Sequence, residues 1–231
     1  NDKNVKLYHI FDDKIINNPD IIISKIKHIL NIDSDNMKIH ARKCIISTDI
    51  TPQEKSKFLN ENHIQGNDKS NHFVIAKYNN DIIAIMTFNN KRYMNKNKNH
   101  DSRIFELSRF CVKNKVICTG IASKLLKSFI ISHNPNKIIS FADRRWTPDM
   151  NNNLYIKLGF VLTQTLKPDY WYYNPNIHRN KRFHKFGFGK TNLKKRFPEI
   201  YNDNKTEWEM MQELGYDRIW DCGKFKYELN F

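Results

Sequence analysis

Residues 104–160 constrain the fold more than any other stretch of this sequence. They are typical of a strand (104–112), a turn with Gly120, a helix with one apolar side, and a second strand (137–142) that ends on Asp143. The first turn of a helix has free backbone N–H groups and a partial positive charge. A strand, a glycine turn and a helix in succession therefore predict a cradle for an anion such as a phosphate.

The size and composition indicate a globular protein. The chain has 231 residues, of which 39% are hydrophobic and 13% aromatic. This is enough for one large core, with or without small appendages, and too much for a disordered chain. No apolar run reaches the roughly 18 residues that a membrane span needs, and no signal-peptide pattern is present. We therefore expect a cytoplasmic protein without a membrane partner.

The charge is strongly basic. Lys and Arg number 39 against 24 Asp and Glu, a formal net charge of +15. Such an excess favours a polyanionic partner, and nucleic acid is the first choice, with DNA ahead of RNA. Abundant Asn, Lys and Ile would also arise from an A+T-rich genome, so biased composition remains an alternative explanation.

The cysteines and histidines do not indicate a metal site. The four cysteines form no C-x-x-C pair and stand mostly in apolar segments, which predicts reduced, buried thiols. The nine histidines show no spacing typical of metal ligands. We predict no metal cofactor.

The remaining elements follow from periodicity and from turn and capping signals. Strands are predicted at 5–11, 37–46, 72–78, 81–88, 160–165 and 170–173, and helices from Pro19, from the capping box at 51–54, and over 206–214. Asn79 and Asn80 indicate a hairpin turn, and a second hairpin is expected to join 216–220 to 224–229. The predicted organisation is an N-terminal strand-helix (1–36), a main domain (37–175) and a basic C-terminal extension (176–231) with a helix and a hairpin.

The order of elements from residue 37 resembles that of the GNAT N-acetyltransferases. Residues 153–160, Asn-Leu-Tyr-Ile-Lys-Leu-Gly-Phe, resemble that superfamily's LYxKLGF segment, and Gly120-Ile-Ala122 resembles the end of its acyl-CoA pyrophosphate loop. Ile117 stands where that loop has Gln or Arg. The resemblance implies an α/β (α+β) fold with a mixed central sheet flanked by helices, and acetyl-CoA or a related acyl-CoA as cofactor.

Two further resemblances concern nucleic acid. Residues 106–109, 122–123, 140–143 and 154–155 resemble landmarks of the phage Mom-type DNA-modification branch, and His63 falls where that branch has a histidine motif. The segments ARKC, ELSRF, SFADRRW, KPDYWY and RIWDCG resemble the C-terminal half of phage Hef-like homing-endonuclease proteins. This implies that 1–36 is the remnant of a nuclease whose catalytic carboxylates lie upstream, so the chain by itself is not expected to cut DNA.

The cofactor is expected at the glycine turn. Backbone amides there would hold the pyrophosphate, and Gly120 and Ala122 permit close approach. The predicted cofactor-binding residues are Cys118, Thr119, Gly120, Ile121, Ala122 and Ser123. The alternative is an ordinary tight turn between a strand and a helix.

Four residues are candidates for the chemistry. The resemblance places Tyr155 near the thioester sulfur as general acid, although it could simply pack its helix on the sheet. Asp143 could orient or deprotonate an amine, or pair with Arg144 or Arg145. Glu106 is a second candidate base, or the buried partner of Arg109. His63 is either a fourth catalytic candidate or a structural residue at a helix end.

Side chains alternate along a regular strand, so Glu106 and Arg109 cannot share a face unless a bulge intervenes. Arg109 is predicted to contact phosphate or substrate. Residues 179–196 hold eight Lys/Arg and no acid, interleaved with aromatics, which suits phosphate contact and base stacking. A solvated charged face is the alternative. The predicted nucleic-acid contacts are Arg109, Arg144, Arg145, Arg179, Lys181, Arg182, Lys185 and Lys190.

Three functions are compatible with these observations. The first is a viral GNAT-like acyltransferase that modifies nucleic acid at an exocyclic base amine. The second is a non-catalytic DNA-binding module of a homing-endonuclease-type protein, which the Ile117 departure favours. The third is an acetyltransferase of proteins or small molecules.

Overall fold

The structure, a computed structural model, describes residues 7–32, 34–90, 103–178 and 180–231. The α-helices are α1 (Asp12–Asn17), α2 (Pro19–Ile29), α3 (Pro52–Asn62), α4 (Ile121–His133), α5 (Leu154–Lys157), α6 (Lys190–Arg196) and α7 (Glu207–Glu213). The strands are β1 (Met37–His40), β2 (Ile45–Ser47), β3 (His72–Tyr78), β4 (Asp81–Asn90), β5 (Ile104–Val112), β6 (Val116–Thr119), β7 (Lys137–Asp143), β8 (Val161–Leu166), β9 (Tyr170–Tyr173), β10 (Arg182–His184), β11 (Asp217–Trp220) and β12 (Lys224–Asn230).

The chain forms two compact units. The first, here the sheet unit, comprises Asn18–Ala142, Asp149–Gln164 and Phe225–Phe231. The second, here the aromatic unit, comprises Asn1–Asn17 (described from Leu7), Asp143–Pro148 and Thr165–Lys224. The predicted boundaries after residues 36 and 175, and the origin of 1–36 in a nuclease, stay predictions.

A seven-stranded sheet organises the sheet unit. Its strand order is β2-β3-β4-β5-β7-β12-β8. The pairs from β2 to β5 are antiparallel, whereas β5 and β7 are parallel. The predicted mixed central sheet flanked by helices is therefore confirmed. Strand β12 takes the place between β7 and β8, so the chain leaves the sheet after β8 and returns to its interior.

Both faces of this sheet are covered, as its apolar strands require. On one face α4 contributes to the main core, where the rings of Phe88 and Phe129 stack with centroids 3.5 Å apart. On the other face α3 packs its buried Phe58 and Leu59 against Ile85. A separate two-stranded parallel sheet, β1 with β6, leads into α4.

Local signals in the sequence produced several of these elements. Helix α3 starts with the predicted capping box, in which Thr51 accepts from the amide of Glu54 and the Glu54 carboxylate accepts from the amide of Thr51. Asn79 and Asn80 have φ of 50° and 63°, the left-handed values that a tight hairpin turn requires. The predicted hairpin of β3 and β4 is confirmed.

Three predicted elements are wrong. Residues 7–11 form no strand, and Val5 and Lys6 lie outside the described residues. The predicted strand 37–46 is broken by a 3-10 turn, Ala41–Lys43, because its halves serve different sheets: β1 pairs with β6 and β2 with β3. The predicted second hairpin does not form, since β11 and β12 belong to different sheets and the chain changes sheet at Gly223, with φ of +78°.

The aromatic unit has its own sheet and its own core. Its three strands are ordered β10-β9-β11, with β9 antiparallel to both neighbours. Behind this sheet lies a cluster of buried residues: Tyr172, Phe188, Leu193, Met210, Met211 and Tyr216. The predicted helix over 206–214 is present as α7, again with a capping box, at Thr206 and Glu209.

Candidate active site

The central sheet opens between β5 and β7. These strands pair only at Ile104–Leu107 with residues 137–140, although both continue further. At the last paired step the hydroxyl of Ser140, which is 2% exposed, donates to the carbonyl of Leu107 at 3.0 Å. Beyond it the ladder ends, so the later residues of β5 and β7 are not paired with each other; we call this end of the ladder the notch.

A β-bulge lies beside this notch. Thr87 pairs with Arg109 and Phe88 with Leu107, so Ser108 has no partner residue on β4. The bulge reverses the alternation of β5, since Leu107 and Phe110 both pack in the main core. Glu106 and Arg109 are thereby brought to the same face, the arrangement that a regular strand forbids.

The predicted cofactor turn caps α4. Gly120 has φ of +83°, which favours glycine, and is the N-cap of this helix. The first-turn amides of Ile121, Ala122 and Ser123 have no intrahelical acceptor, because the residues four positions earlier precede the helix. Ile121 and Ala122 are buried in the main core, whereas Thr119, Gly120 and Ser123 are exposed. Of these three amides, that of Ser123 therefore belongs to an exposed residue, whereas those of Ile121 and Ala122 belong to residues that are 1% and 8% exposed.

Lys124 holds this turn in place, a role that sequence reasoning missed. Its ammonium donates to the carbonyls of Ala41 at 3.0 Å and Cys44 at 2.8 Å. The thiols of Cys44 and Cys118 lie 3.7 Å apart, and both are free and buried, as predicted. Burial raises the pKa of Cys118 to about 12, so this thiol is uncharged and packs as an apolar group.

Tyr155 is fixed by its neighbours in α5 and β12. The side chain of Asn153 accepts from the amides of Tyr155 and Ile156 at 2.9 and 3.3 Å, and donates to the hydroxyl of Tyr227 at 2.7 Å. The ring of Tyr155 stacks on Tyr227 with centroids 5.0 Å apart and meets Phe160 edge-on. The phenol is thus held by packing, and Tyr227 is a supporting residue that the strand pattern alone did not reveal.

Arg109 ties the bulge to the loop after α3. Its Nη1 donates to the carbonyl of Ser108 at 2.8 Å and its Nε to the carbonyl of Gly66 at 3.3 Å. Burial lowers the pKa of this guanidinium, while the nearby acidic groups of Asp68, Glu106 and Tyr155 act in the opposite direction. The structure therefore brings Glu106 and Tyr155 within electrostatic range of one cation.

The side chain of Asp68 is a buried carboxylate near the guanidinium of Arg109. Burial raises the pKa of Asp68, but hydrogen bonds from Ser70, Ser108 and Thr87 outweigh it, and the net pKa lies far below its usual value. Lys55 completes the set, with Nζ 3.1 Å from Oδ1 of Asp68. No sequence motif indicated Asp68 or Lys55, although the loop between α3 and β3 was the place to look.

His63 is a weak base in this environment. Burial, together with the charges of Arg109 and Lys25, lowers its pKa to about 3. Its Nδ1 accepts from the amide of Gln65 at 3.1 Å, so the proton of the neutral ring is on Nε2. At neutral pH the ring is an uncharged hydrogen-bond donor.

Asp143 belongs to the aromatic unit and is paired there. Its carboxylate accepts from Nε of Arg145 at 2.9 Å and from the backbone amide of Arg145 at 3.0 Å. The guanidinium of Arg145 also lies over the ring of Phe11, 4.8 Å from its centroid. The predicted alternative of a local ion pair is what the structure has, and the convergence of Asp143 with Tyr155 stays a prediction.

The predicted nucleic-acid contacts differ in their surroundings. Arg182 is 11% exposed, lies 2.9 Å from Asp13, and stacks over Phe11 at 3.7 Å. This guanidinium therefore stabilises the interior of the aromatic unit, and little of its surface remains for a ligand to contact.

The other members of this set are more accessible. Lys181 and Lys190 are exposed, and Lys185 is half-buried beside Asp169. The amide of Arg144 donates to the carbonyl of Gly223 at 3.2 Å. Arg179 lies outside the described residues.

The described part of the chain has neither a metal-binding group of side chains nor a membrane-spanning helix. Among these residues no group of three or more His, Cys, Asp or Glu side chains is arranged to hold a metal ion. No helix in the described ranges is long and apolar enough to cross a membrane.

Comparison with known proteins finds similarity at the level of solved structures. No protein-family model matches the sequence, and no curated protein matches it significantly. A GNAT family acetyltransferase from Elizabethkingia anophelis with acetyl-CoA bound is 17% identical, with a TM-score of 0.41, over 82% of this chain and 99% of that one. A Bacillus subtilis acetyltransferase in complex with CoA is 13% identical, with a TM-score of 0.46, over 82% and 99%.

A third structure, an IAA acetyltransferase from Bacillus cereus, is 14% identical, with a TM-score of 0.42, over 81% of this chain and 99% of that one. At these TM-scores and identities the similarities decide neither the family nor the reaction of this chain.

Proposed function

We propose that this chain is an acyl-CoA-dependent N-acyltransferase whose acceptor is an exocyclic amine of a nucleic-acid base. The observation that carries the proposal is the notch where β5 and β7 separate, together with the Gly120 turn at the start of α4. Ile121 and Ala122 of that first turn belong to the same core cluster as Leu107 and Ala142, on the two strands that separate. The proposed cofactor turn and the end of the β5–β7 ladder therefore share one core cluster, which supports the proposal.

The residues of the turn fit a diphosphate. Gly120 has no Cβ to obstruct the approach, and the first-turn amides and the Ser123 hydroxyl can donate to phosphate oxygens. Ile117 supplies no polar donor where the resembling loop has Gln or Arg, and the ammonium of Lys124 already donates to Ala41 and Cys44. Binding would rest on backbone amides and the helix terminus.

Acyl transfer to an amine forms a C–N bond, breaks the C–S bond, removes a proton from nitrogen and returns one to sulfur. A bound acyl-CoA would supply the activated acyl carbon. Tyr155, held by Tyr227 and Asn153, is the proton donor to the departing thiolate. Glu106 and Asp143 are the two carboxylates proposed to take the amine proton, directly or through water.

The acceptor is proposed from charge. A net charge of +15 favours a polyanion, and a base amine that lies inside a duplex must be flipped out or unpaired to react. The location would be the cytoplasm of a host cell if the chain is viral, as its resemblance to the Mom-type branch implies.

A second candidate is a non-catalytic module that binds DNA for an upstream nuclease. Ile117 in the turn and the Asp143–Arg145 pair both favour it, because one removes a donor and the other engages a proposed base. This module would bind nucleic acid and ignore acyl-CoA.

Calorimetric titration with acetyl-CoA separates the two. We expect the parent chain and Gly189→Ala to bind, and Gly120→Val to lose binding at least tenfold, since valine is strained at φ +83° and covers the amides. Gly189 is the matched control, because a Cβ there meets nothing within 4 Å. If the parent does not bind at millimolar acetyl-CoA while it still binds DNA, the binding module is the function. Mass spectrometry of nucleosides from expressing cells then identifies the modified base.

A further inference from the structure

The ends of three strands meet at one edge of the aromatic unit. Tyr170 begins β9 and is the register partner of Trp220, which ends β11. Lys185 and Phe186 directly follow β10, whose last residue, His184, pairs with Trp171. Because β9 is antiparallel to both neighbours, these residues are gathered at a single edge. We call Tyr170, Lys185, Phe186 and Trp220 the aromatic edge.

The aromatic edge exposes unusually large apolar rings. Among the described residues the exposed large aromatics are Phe186 at 76%, Phe231 at 59% and Trp220 at 56%, so two of the three are here. The ammonium of Lys185 is 5.0 Å from the ring centroid of Tyr170 and 5.7 Å from that of Phe186. Tyr170 in turn meets Trp220 edge-on, with centroids 5.2 Å apart. The edge therefore joins one cation to two rings and, through Tyr170, to a third.

These rings are fixed rather than loosely attached. The guanidinium of Arg218 stacks over Tyr170 at 4.2 Å and donates to the hydroxyl of Tyr172 at 3.1 Å. The same hydroxyl donates to Glu207 at 2.8 Å, which links the sheet to α7.

Phe186 is held through its backbone. Its carbonyl accepts from Asn192 at 3.0 Å, and its amide donates to Nδ1 of His184 at 3.3 Å. The ring of Phe186 also lies 4.6 Å from that of His184, and that of Trp220 packs on Tyr170, so each exposed ring has one aromatic neighbour.

Charge decides which ligand suits the edge. Residues 179–196, which include Lys185 and Phe186, hold eight Lys/Arg and no acid. The ammonium of Lys185 pairs with the carboxylate of Asp169, which precedes Tyr170, at 2.6 Å. Lys194 and Lys195 on α6 are exposed. An unpaired nucleic-acid strand presents π-faces and phosphates alternately, which matches exposed rings next to a cation.

We propose that the aromatic edge binds unpaired nucleotides, with bases stacked on Trp220 and Phe186 and a phosphate that replaces the carboxylate of Asp169 at Lys185. This rests on the proposed function, for which it names the form of the acceptor: a single-stranded or locally melted segment. Trp220 and Phe186 supply stacking, and the lysines of α6 add contacts that do not depend on sequence.

Fluorescence anisotropy with three labelled oligonucleotides tests the proposal: twelve thymidines, the same length of abasic sugar-phosphate, and a matched duplex. We expect the thymidine strand to bind at least tenfold tighter than the other two. Trp220→Ala and Phe186→Ala should each weaken thymidine binding about 5- to 100-fold, from the usual worth of one stacked base, and leave abasic binding unchanged. Trp220→Phe should keep most of the affinity.

Two control variants make the result specific. Ile131→Ala removes a side chain of similar exposure, 73%, from α4 of the sheet unit and should change nothing. Lys194→Gln with Lys195→Gln should weaken all strands alike and reduce the salt dependence of binding. Equal affinity for thymidine and abasic strands, tighter duplex binding, or unchanged affinity in both alanine variants overturns the proposal. Acyl-CoA is absent from this assay, so its outcome is independent of the acetyl-CoA titration.

Discussion

The ammonium of Lys55 lies 3.1 Å from the carboxylate of Asp68, with side chains only 7% and 6% exposed. Lys55 also donates to the carbonyl of Ser70 at 2.8 Å, and Asp68 accepts from the hydroxyl of Thr87 at 2.8 Å. Two charges removed from water are thus satisfied by each other and by neighbouring polar groups. The pair joins α3, the loop that follows it and β4, next to the bulge at Ser108.

Breaking this pair should destabilise the protein more than losing a surface pair. Lys55→Met leaves the Asp68 carboxylate buried without its cation, which typically costs about 3–5 kcal/mol of unfolding free energy. Lys113→Met is the matched control, because Lys113 and Asp81 form an ion pair with side chains 42% and 59% exposed. It should cost less than about 1 kcal/mol. Urea unfolding measures both, and equal losses would contradict the assignment.

The stability should fall in mild acid because of His63. Its pKa is about 3 in the folded chain and 6.5 ordinarily, so between these values the unfolded chain binds a proton that the folded chain does not. Stability contributed by the neutral ring is present above pH 6.5 and is lost as the pH falls, by up to about 1.4 kcal/mol per pH unit. Asp68, whose folded pKa is also depressed, acts in the same direction only below about pH 4.

Urea unfolding at pH 4.5 to 7 tests this expectation. His63→Asn keeps an acceptor for the amide of Gln65 and cannot be protonated, so it should flatten the pH dependence. His9→Gln, at an exposed position, should retain the slope of the parent. A parallel slope for His63→Asn and the parent would contradict the buried, neutral ring.

Three glycine substitutions should differ in how much stability they cost, according to the backbone φ at each glycine and the space for a Cβ. Gly120→Ala places a Cβ 3.6 Å from that of Ala41, an ordinary contact, and should cost about 1–2 kcal/mol from the left-handed φ alone. Gly223→Ala combines a φ of +78° with a Cβ that would collide with the carbonyl oxygen of Leu166, and should cost more. Gly189→Ala should be neutral. Thermal unfolding gives the order, and a costly Gly189→Ala would refute it.

Substitutions of the proposed acid and bases should act on turnover. Tyr155→Phe keeps the stack on Tyr227 and removes the proton donor, so we expect kcat to fall about 10²- to 10⁴-fold with little change in the KM for acetyl-CoA. The loss should shrink for an acyl donor whose thiol is more acidic, because that leaving group needs no proton.

Glu106→Gln and Asp143→Asn separate the two candidate bases. The variant that lacks the true base should lose the acidic limb of its pH profile of kcat/KM, whereas the other variant should retain that limb. Asp143→Asn also releases Arg145, so the thermal stability of both variants is the control for folding. If both keep the limb, neither carboxylate takes the proton.

Much of the central sheet was predictable because its signals are local. The Thr51 capping box and the Asn79–Asn80 turn specify their elements within a few residues, and both are present. The hairpin predicted around 221–223 failed for a nonlocal reason. A strand pattern cannot say which sheet a strand joins, and β12 pairs in a sheet whose other members lie far away in sequence.

The site was predictable in part for the same reason. Gly120 and Tyr155 stand in recognisable motifs, so their positions could be proposed from the sequence. Asp68 and Lys124 could not, since each acts through contacts with segments distant in the chain. The shared face of Glu106 and Arg109 depends on a one-residue bulge at Ser108, which the apolar pattern of β5 does not encode.

Strand β12 lies between β7 and β8, yet the chain reaches it only after residues 167–223. Before β12 docks, β8 has no neighbour in the sheet and the site of Tyr227 against Tyr155 is empty. Closing so long a loop carries an entropic cost and slows folding. All of residues 167–223 belong to the aromatic unit, so the folding of its core shortens the free chain and lowers the cost of docking β12.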